Sequence, residues 1–384
     1  MQITADWLRD SASQALLGAL TERGFQAYFV GGCVRNALLD APVSDLDVAT
    51  SALPEDVQTI MKNKGFRTVP TGIEHGTITV LIDNHSFEVT SFRKDVETFG
   101  RRAVVAFSTD IADDARRRDF TMNALYVGAD GAIVDPLNGL PDLIARRLRF
   151  IEDADRRIKE DYLRILRYFR FFAWYGDQSA GLDPEALAAI SENLDGLDKL
   201  SKERIGAEMR KLLRAETPEM ALSAMEQTGV LGRILSGAST RSFAPLVHLE
   251  QQLGLAADWL RRLLVLGGEG LKNALRLSNA DAARIRQYRQ ANEQALSPKI
   301  AAYRFGRDTG LDLALVQAAS LGVPIDPSIL SQVDQGAEAR FPVAAKDLQG
   351  FEGKALGDKL RELENTWIES GFTRSKADLL NGLS

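Results

Sequence analysis

The chain has 384 residues, of which 45% are hydrophobic and 26% are charged, a composition typical of a globular protein with large cores. Its net charge of −6 excludes a uniformly basic coat for nucleic acid, although local tracts rich in Lys and Arg occur. The single cysteine excludes an internal disulfide framework and a cysteine metal cluster. Because no apolar run reaches the ~18 residues of a membrane span, we expect a cytoplasmic protein with no membrane partner.

The first part of the chain mixes helical and strand patterns. The predicted helices cover 3–24 and 54–64, and the predicted strands cover 27–30, 44–49, 66–69, 76–82 and 86–93. A short helix is also expected between the first two strands. This mixture, with a hairpin in it, predicts an α/β head built on a mixed sheet.

A glycine turn and two aspartates lie around the first two predicted strands. Gly31 and Gly32 precede the short helix that carries Arg35, so backbone N–H groups and a helix N-terminus can approach a phosphate. Asp45 and Asp47 are two residues apart in a strand and point to the same side. Carboxylates held that close indicate a hard divalent cation. Each pattern alone is more often an ordinary turn or an exposed strand edge, but together they predict nucleotidyl transfer.

The sequence Gly-Gly-x-Val-Arg, followed by Ser-Asp-Leu-Asp, resembles the first motif of the polymerase β-type nucleotidyltransferases. Within them it is similar to the branch of bacterial-type (class II) CCA-adding enzymes and poly(A) polymerases. That family usually has Asp where this chain has Asn36, which keeps a polar side chain and loses a charge. The resemblance implies that Asp45 and Asp47 hold two Mg²⁺ ions, one activating the tRNA 3′-hydroxyl and the other stabilising the departing pyrophosphate.

Two further features of the head have more than one interpretation. Glu88 is either a third carboxylate near the metals or a solvent-facing residue of its strand. The polar segment Arg93 to Ser108 has no clear period before Val104 and predicts a loop. In CCA-adding relatives the corresponding segment is a flexible lever that helps to switch the site from CTP to ATP. Its full length therefore favours the complete reaction.

The segment Asp113 to Leu125 resembles the family motif Arg-Arg-Asp-Phe-Thr-x-Asn-Ala. Neighbouring guanidinium groups present planar forks of donors that suit a triphosphate, so we assign Arg118 to the nucleotide. A run of arginines alone would predict an exposed turn. Asn123 either orients a ribose hydroxyl or makes a local hydrogen bond. The turn cluster Val134 to Gly139 resembles the Asp-Pro-x-x-Gly element of the family and is expected to end the head.

The segment Glu160 to Trp174 predicts one amphipathic helix with an apolar stripe. Its opposite face carries Asp161, Arg164, Arg167 and Arg170. The segment matches the Glu-Asp-x-x-Arg element of the family, in which Asp and Arg hydrogen-bond the base and select C or A without a nucleic-acid template. The resemblance implies base reading by Asp161 and Arg164, with phosphate or stacking support from Arg167 and Arg170. Without the upstream motifs, a solvated helix with ion pairs would be the better interpretation.

The rest of the chain reads as successive helices. We expect a catalytic nucleotidyltransferase head over 1–140, a helical neck for base recognition over 141–200, a helical RNA-binding body over 201–290 and a helical tail over 291–384. A basic amphipathic helix over 201–213 resembles the segment that approaches the tRNA acceptor arm in the family. Basic residues in the tail form a candidate tRNA surface, for which an ordinary solvated face is the commoner explanation.

The resemblance as a whole implies CCA addition to the tRNA acceptor end from CTP and ATP. A poly(A) polymerase of the same family is disfavoured because the basic, extended segment after the glycine motif is not apparent. An enzyme that adds only CC or only A stays open. The alternative from another class is a catalytically inactive tRNA-binding module, against which the paired aspartates argue. The sequence does not indicate the oligomeric state.

Overall fold

The computed structural model describes residues 2–73, 76–99 and 102–381. The chain divides into two compact units, Met1–Ala238 and Ser239–Ser384, called the first and second units below. Within the described ranges, none of the helices combines the length and the apolar character needed to cross a bilayer. His75, which the sequence places in a loop before the hairpin, lies outside the described residues.

The first unit contains a mixed sheet, as predicted. The strands are β1 (Ala27–Val30), β2 (Leu46–Thr50), β3 (Arg67–Gly72), β4 (Thr77–Ile82), β5 (His85–Ser91), β6 (Arg93–Phe99), β7 (Arg102–Phe107), β8 (Tyr126–Val127) and β9 (Ile133–Val134). Seven of them form one sheet in the order β3-β4-β5-β2-β1-β8-β9. Only the β2–β5 pair of this sheet is parallel, and its register places Asp47 opposite Glu88.

Helices cover the sheet and continue beyond it. They are α1 (Asp6–Arg9), α2 (Ser11–Thr21), α3 (Gly32–Leu38), α4 (Pro54–Asn63), α5 (Ile111–Arg116), α6 (Leu140–Ile144), α7 (Ala154–Glu160), α8 (Leu163–Tyr175), α9 (Pro184–Glu192), α10 (Lys202–Leu213), α11 (Glu219–Gln227) and α12 (Val230–Ile234). Short 3-10 turns cover Thr121–Asn123 and Leu194–Lys199. The first predicted helix is interrupted at Asp10, whose carboxylate accepts a hydrogen bond from the Ala12 N–H and starts a new helix there.

The predicted loop between Arg93 and Ser108 is wrong. Strands β6 and β7 pair there as an antiparallel hairpin, with Arg93 opposite Phe107 and Phe99 opposite Arg102. The sequence of β7 is rich in β-prone residue types, and the charged residue types of β6 hide its strand pattern because β propensity depends on the partner strand. Residues 100 and 101 lie outside the described ranges.

Helix α8 packs firmly against the segment after α5. Its predicted apolar stripe is buried at Ile165, Leu166, Phe169 and Ala173. The Phe120 ring lies 5.2 Å from the Phe171 ring, and the Phe150 and Tyr168 rings are stacked 5.4 Å apart. Such aromatic pairs contribute about 0.5–1.5 kcal/mol beyond their burial. The polar face of α8 is therefore held at a fixed position beside the sheet.

The second unit is helical. Its helices are α13 (Phe243–Gln252), α14 (Trp259–Leu266), α15 (Leu271–Ala274), α16 (Asn279–Glu293), α17 (Pro298–Phe305), α18 (Arg307–Leu321), α19 (Ser328–Glu338), α20 (Gly353–Glu369) and α21 (Lys376–Leu380), with a 3-10 turn over Ala345–Asp347. The basic residues Lys359, Arg361 and Lys376 of its last helices pair with neighbouring carboxylates. This pairing fits an ordinary solvated face better than a concentrated anion-binding surface.

A buried ionic cluster joins four helices of the second unit. Asp312 of α18 is fully buried and accepts hydrogen bonds from Arg261 Nε of α14 at 3.1 Å and Arg284 Nε of α16 at 2.7 Å. Arg261 Nη1 also donates to Glu250 Oε1 of α13 at 3.1 Å. Removing one member of such a cluster leaves its partners charged and desolvated.

We expect Asp312→Ala to lower the free energy of unfolding of the second unit by about 3–5 kcal/mol, because Arg261 and Arg284 lose their buried partner. Urea denaturation of the full-length chain, followed by circular dichroism, measures the change. Asp334→Ala is the matched control, since Asp334 and Arg307 form an exposed pair, and about 1 kcal/mol or less is expected there. Equal effects of the two substitutions would contradict the structural role of the cluster.

Candidate active site

A polar pocket of about 630 Å³ opens in the first unit between the glycine turn, the start of β2 and helix α8. It brings together nearly all the residues predicted from the sequence: Gly31, Gly32, Arg35, Asp45, Asp47, Arg118, Asn123, Asp161, Arg164, Arg167 and Arg170. Glu88 is the predicted site residue that this pocket does not include. The wall also contains Asp119, Phe171, Arg204 and Lys211, which were not assigned as site residues from the sequence.

The glycine turn leaves room for a guanidinium group. Gly31 has φ +75° and ψ −119°, a backbone conformation that residues with a Cβ rarely adopt, and it caps the N-terminus of α3. A Cβ at this position would lie 3.4 Å from Arg118 Nη1. The turn, the N-terminus of α3 and Arg118 thus form one surface suited to an anion.

Arg118 is held in place by two buried acceptors. Its Nη2 donates to Asp114 Oδ2 at 2.9 Å, and its Nε lies 3.2 Å from the Tyr126 hydroxyl. Burial alone would lower the pKa of Arg118, but Asp114 and Tyr126 raise that pKa above its ordinary value. Arg118 therefore stays charged, with Nη1 beside the glycine turn.

The two aspartates lie at the beginning of β2. Asp45 precedes the strand and is exposed, whereas Asp47 lies within it and is half-buried. Burial and the neighbouring Glu88 raise the pKa of Asp47, Arg118 opposes them, and Asp45 adds to the increase. This accumulation of negative charge favours a divalent cation with oxygen ligands, so the residues present fit a metal bound by Asp45 and Asp47.

Glu88 lines a second cavity beside the aspartates. This cavity has a volume of about 640 Å³, shares Asp45 and Asp47 with the first pocket, and also contains Asn84 and His85. Across the described ranges, no three His, Cys, Asp or Glu side chains are grouped closely enough to hold a metal ion. A direct metal contact of Glu88 stays a prediction, while its register opposite Asp47 shows how it acts on that carboxylate electrostatically.

A chain of hydrogen bonds links α3 to α8 at Arg167 and at Tyr175, the last residue of α8. Arg35 Nη1 donates to Asn123 Oδ1 at 2.5 Å, and Asn123 Nδ2 donates to Asp119 Oδ1 at 2.9 Å. Asp119 Oδ2 accepts from Arg167 Nε at 2.8 Å. Arg35 Nη2 also donates to the Tyr175 hydroxyl at 3.0 Å. Arg35 and Asn123 therefore act first as positioning residues, and their contact with a nucleotide stays a prediction.

Asn36 has a distinct structural role at the position where the resemblance leads us to expect Asp. Its Oδ1 accepts from Arg35 Nη2 at 2.8 Å, while its Nδ2 donates to the Pro42 carbonyl at 2.6 Å. A carboxylate could make the first bond and would lack the donor for the second. The amide thus secures both Arg35 and the segment that leads to Asp45.

The helix predicted over Glu160 to Trp174 is confirmed from Leu163 onwards, whereas Glu160 ends the preceding helix α7. Asp161 separates α7 from α8 in an extended conformation, with φ −151° and ψ 105°. Its Oδ1 accepts from the Leu163 N–H at 3.1 Å, and its Oδ2 accepts from Arg204 Nη2 at 2.6 Å. Periodicity could not reveal this break because an Asx-type bond that starts α8 replaces the regular helical hydrogen bond. Arg204, in the basic helix α10, is the partner that sequence reasoning did not identify.

Arg164, Arg167 and Arg170 line the pocket, and each has a protein partner. Arg164 Nη1 donates to Glu160 Oε2 at 2.6 Å, and Arg170 Nε donates to Glu208 Oε2 at 2.5 Å. Only a small fraction of Arg164 and Arg170 is exposed, which argues against the alternative interpretation of this face as a solvated one. These bonds fix the positions of the guanidinium groups before any ligand binds.

Comparisons with known proteins agree with this arrangement. A family profile described as "Poly A polymerase head domain" matches residues 27–149, and one described as "Probable RNA and SrmB- binding site of polymerase A" matches residues 181–241. The "CCA tRNA nucleotidyltransferase 1, mitochondrial" of Danio rerio is 32% identical, over 94% of this chain and 87% of that protein. The "CCA-adding enzyme" of Streptococcus sanguinis is 35% identical, over 92% of each.

A solved structure is similar over nearly the whole chain. It is the crystal structure of the Bacillus stearothermophilus CCA-adding enzyme in complex with CTP, which has a TM-score of 0.69 and 27% identity and covers 94% of this chain and 93% of that one. The curated relatives are matched over most of their own length, so the similarity is not restricted to the catalytic motifs. On these grounds, the chain belongs to the family of CCA-adding tRNA nucleotidyltransferases and poly(A) polymerases.

Proposed function

We propose that this protein adds C, C and A from CTP and ATP to the 3′ end of tRNA without a nucleic-acid template. The observation that carries the proposal is a single pocket whose wall contains both the aspartate pair of β2 and the Asp161–Arg164 pair of the neck. One pair is suited to phosphoryl chemistry and the other to hydrogen bonding with a base edge. The relatives that share this organisation over most of their length are named for the same reaction.

Enzymes of this family depend on a metal ion, and we propose that here the metal is Mg²⁺, of which Asp45 and Asp47 would hold two ions. When bound, it would supply charge stabilisation for the attacking and leaving oxygens. The glycine turn and Arg118 bind the triphosphate, since a fixed cation and free backbone donors at a helix N-terminus favour an anion there. Glu88 raises the negative potential beside Asp47 from the neighbouring strand.

Base selection rests on side chains that are already fixed. Arg164 is oriented by Glu160, and Asp161 is oriented by Arg204 and the first turn of α8. A guanidinium donates to the acceptors that C and A present, and a carboxylate accepts from their exocyclic amines. U and G would leave one or more buried groups unpaired, at about 1–3 kcal/mol for each. We propose that Arg167 and Arg170 support this pair from the same helix.

The tRNA would be recognised by its shape and backbone, because the enzyme must accept tRNAs of many sequences. We assign the neck to base recognition and the body to RNA binding within the boundaries predicted from the sequence. For the tail, the pairing of its basic residues with carboxylates favours a solvated face over the candidate tRNA surface. A cytoplasmic location likewise stays a prediction from composition.

The function is tested by incubating the purified protein with a tRNA that ends at the discriminator base and one labelled nucleotide at a time. We expect two C residues from CTP alone, one further A when ATP is added, and no incorporation from UTP or GTP. Sequencing of the product ends identifies the reaction. A long A tract would instead indicate a poly(A) polymerase, and a product that stops at CC would indicate partial activity.

Arg164→Ala should reduce discrimination of CTP against UTP by about 10- to 100-fold, because a missed hydrogen bond in a buried site costs about 1–3 kcal/mol. The measurement is the ratio of kcat/KM for the two nucleotides with the same tRNA. Arg156→Ala is the matched control, since Arg156 belongs to the neighbouring α7 but is largely exposed. Unchanged discrimination in Arg164→Ala would refute the assignment of Arg164 to base reading.

A further inference from the structure

Trp174 is an exposed aromatic side chain whose position is nevertheless fixed. Within the residues that the structure describes, its side chain is 47% exposed, whereas Trp367 is buried. The indole N–H donates to the backbone carbonyl of Lys211 at 2.9 Å, which joins the end of α8 to α10. A tryptophan that is anchored at its nitrogen and open to solvent can present a ring face to a ligand.

Trp174 extends the face of α8 that forms the pocket wall. At about 100° per residue, Arg164, Arg167, Phe171 and Trp174 lie within one sector of the helix. The first three line the pocket, and Trp174 follows Phe171 by three residues towards the C-terminal end. Trp174 is outside the pocket lining itself, but Lys211, to which it is bonded, is part of that lining. The ring therefore lies at the rim of the pocket.

The surroundings of Trp174 are cationic. Lys211 of α10 lines the pocket beside it, and Arg214 is exposed one turn beyond Lys211. Glu208, the acidic residue of this part of α10, is engaged by Arg170. An accessible aromatic ring beside basic side chains is the arrangement with which proteins bind unpaired nucleotides, because every base has a face that stacks and every linkage carries a negative charge.

We propose that Trp174 stacks an unpaired nucleobase of the RNA 3′ end, so that α8 contacts the strand being extended as well as the incoming nucleotide. The inference rests on the proposed function and adds a contact to it. A nucleotide held in the pocket does not reach the ring, since Trp174 lies beyond the lining, whereas an RNA strand that enters the pocket crosses its rim. The cations on α10 then lie beside the phosphates of that strand.

The kinetic test uses Trp174→Ala and Trp174→Phe. Stacking on an aromatic ring contributes about 1–3 kcal/mol per base, so the alanine variant should have a KM for tRNA about 5- to 150-fold higher, with the KM for CTP unchanged. The phenylalanine variant should restore most of the affinity, because it keeps a stacking face and loses only the bond to Lys211. Leu321→Ala, at an exposed apolar position in the second unit, is the control. An unchanged KM for tRNA, or equal losses in both variants, would overturn the inference.

A binding measurement separates this inference from the function itself. Addition of a tRNA that lacks its last three nucleotides should quench the tryptophan fluorescence of the wild-type protein, and Trp174→Phe should lose most of that quenching. This quenching does not depend on turnover. A protein that shows the quenching but adds no nucleotide would therefore refute the proposed function and leave the stacking contact standing. Quenching that persists in Trp174→Phe would overturn the stacking contact. A fluorescence change that follows the protein concentration and not the tRNA concentration would overturn it as well.

Discussion

Asp47→Asn is expected to reduce nucleotide incorporation by at least about 1000-fold while leaving tRNA binding near its wild-type level. The amide keeps the shape of the side chain but removes one of the two charges that hold the metal, and charge stabilisation by the metal amounts to several kcal/mol. Each ~1.4 kcal/mol is a factor of ten in rate. Single-turnover incorporation of labelled CTP measures the loss, and a filter-binding assay with tRNA measures the binding.

The electrostatics of β2 predict that this variant folds normally. Burial, Glu88 and Asp45 raise the pKa of Asp47, so the ionised carboxylate costs stability once the pH rises through that elevated pKa. Removing the charge should therefore leave the melting temperature at neutral pH equal to that of the wild type or higher. Asp6→Asn, at an exposed position in α1, serves as the control. Turnover near the wild-type rate in Asp47→Asn would remove the metal assignment.

Asp119→Ala is expected to have the largest effect on the stability of the first unit, about 3–5 kcal/mol, because it leaves Arg167 without its buried partner and Asn123 without its acceptor. Incorporation should fall as well, since Arg35 and Arg167 are positioned through this carboxylate. Urea unfolding at neutral pH measures the stability. Asp113→Ala, which removes a partly exposed carboxylate of α5 paired with Arg116, is the matched control.

The stabilising effect of Asp119 depends on pH in a defined direction. Burial alone would raise the pKa of Asp119, but Arg167 and the Asn123 amide hold that pKa well below its ordinary value of 3.8. A depressed carboxyl pKa contributes stability that is fully present above the unfolded-state value and is lost as the pH falls towards the folded-state value. The difference between wild type and Asp119→Ala should therefore shrink only below about pH 4. A difference that disappears between pH 7 and 5 would contradict this account.

The sequence was most informative where the local backbone requirement is strict. A glycine is needed at position 31 because the backbone has a positive φ there and because Arg118 lies close by. The motifs therefore predict both the turn and the guanidinium group of Arg118 beside it. Asp45 and Asp47 both line the pocket as their spacing predicts, although Asp45 precedes β2 and is not part of the strand. The apolar stripe of α8 was also predictable, since its burial follows from helical periodicity alone.

The contacts between distant segments could not be predicted. Asp119 lies inside a recognised motif, yet its bonds to Arg167 and Asn123 depend on how α8 docks against the head. The break at Asp161 depends on Arg204, which is 43 residues further along the chain. The β6–β7 hairpin depends on pairing rather than on the pattern of either strand. For Asp119 and Asp161 the deciding partner is remote in sequence, and for the hairpin it is the pairing with the next strand, so local propensity carries little information about these contacts.

The most direct test of the account is a crystal structure of the protein with CTP and Mg²⁺. We predict that the cytosine edge lies between Asp161 and Arg164, that the triphosphate lies against Gly31, Gly32 and Arg118, and that density for the metal lies between the carboxylates of Asp45 and Asp47. A nucleotide bound outside this pocket, or a metal ligated without either aspartate, would contradict the central claim that phosphate chemistry and base selection share one site.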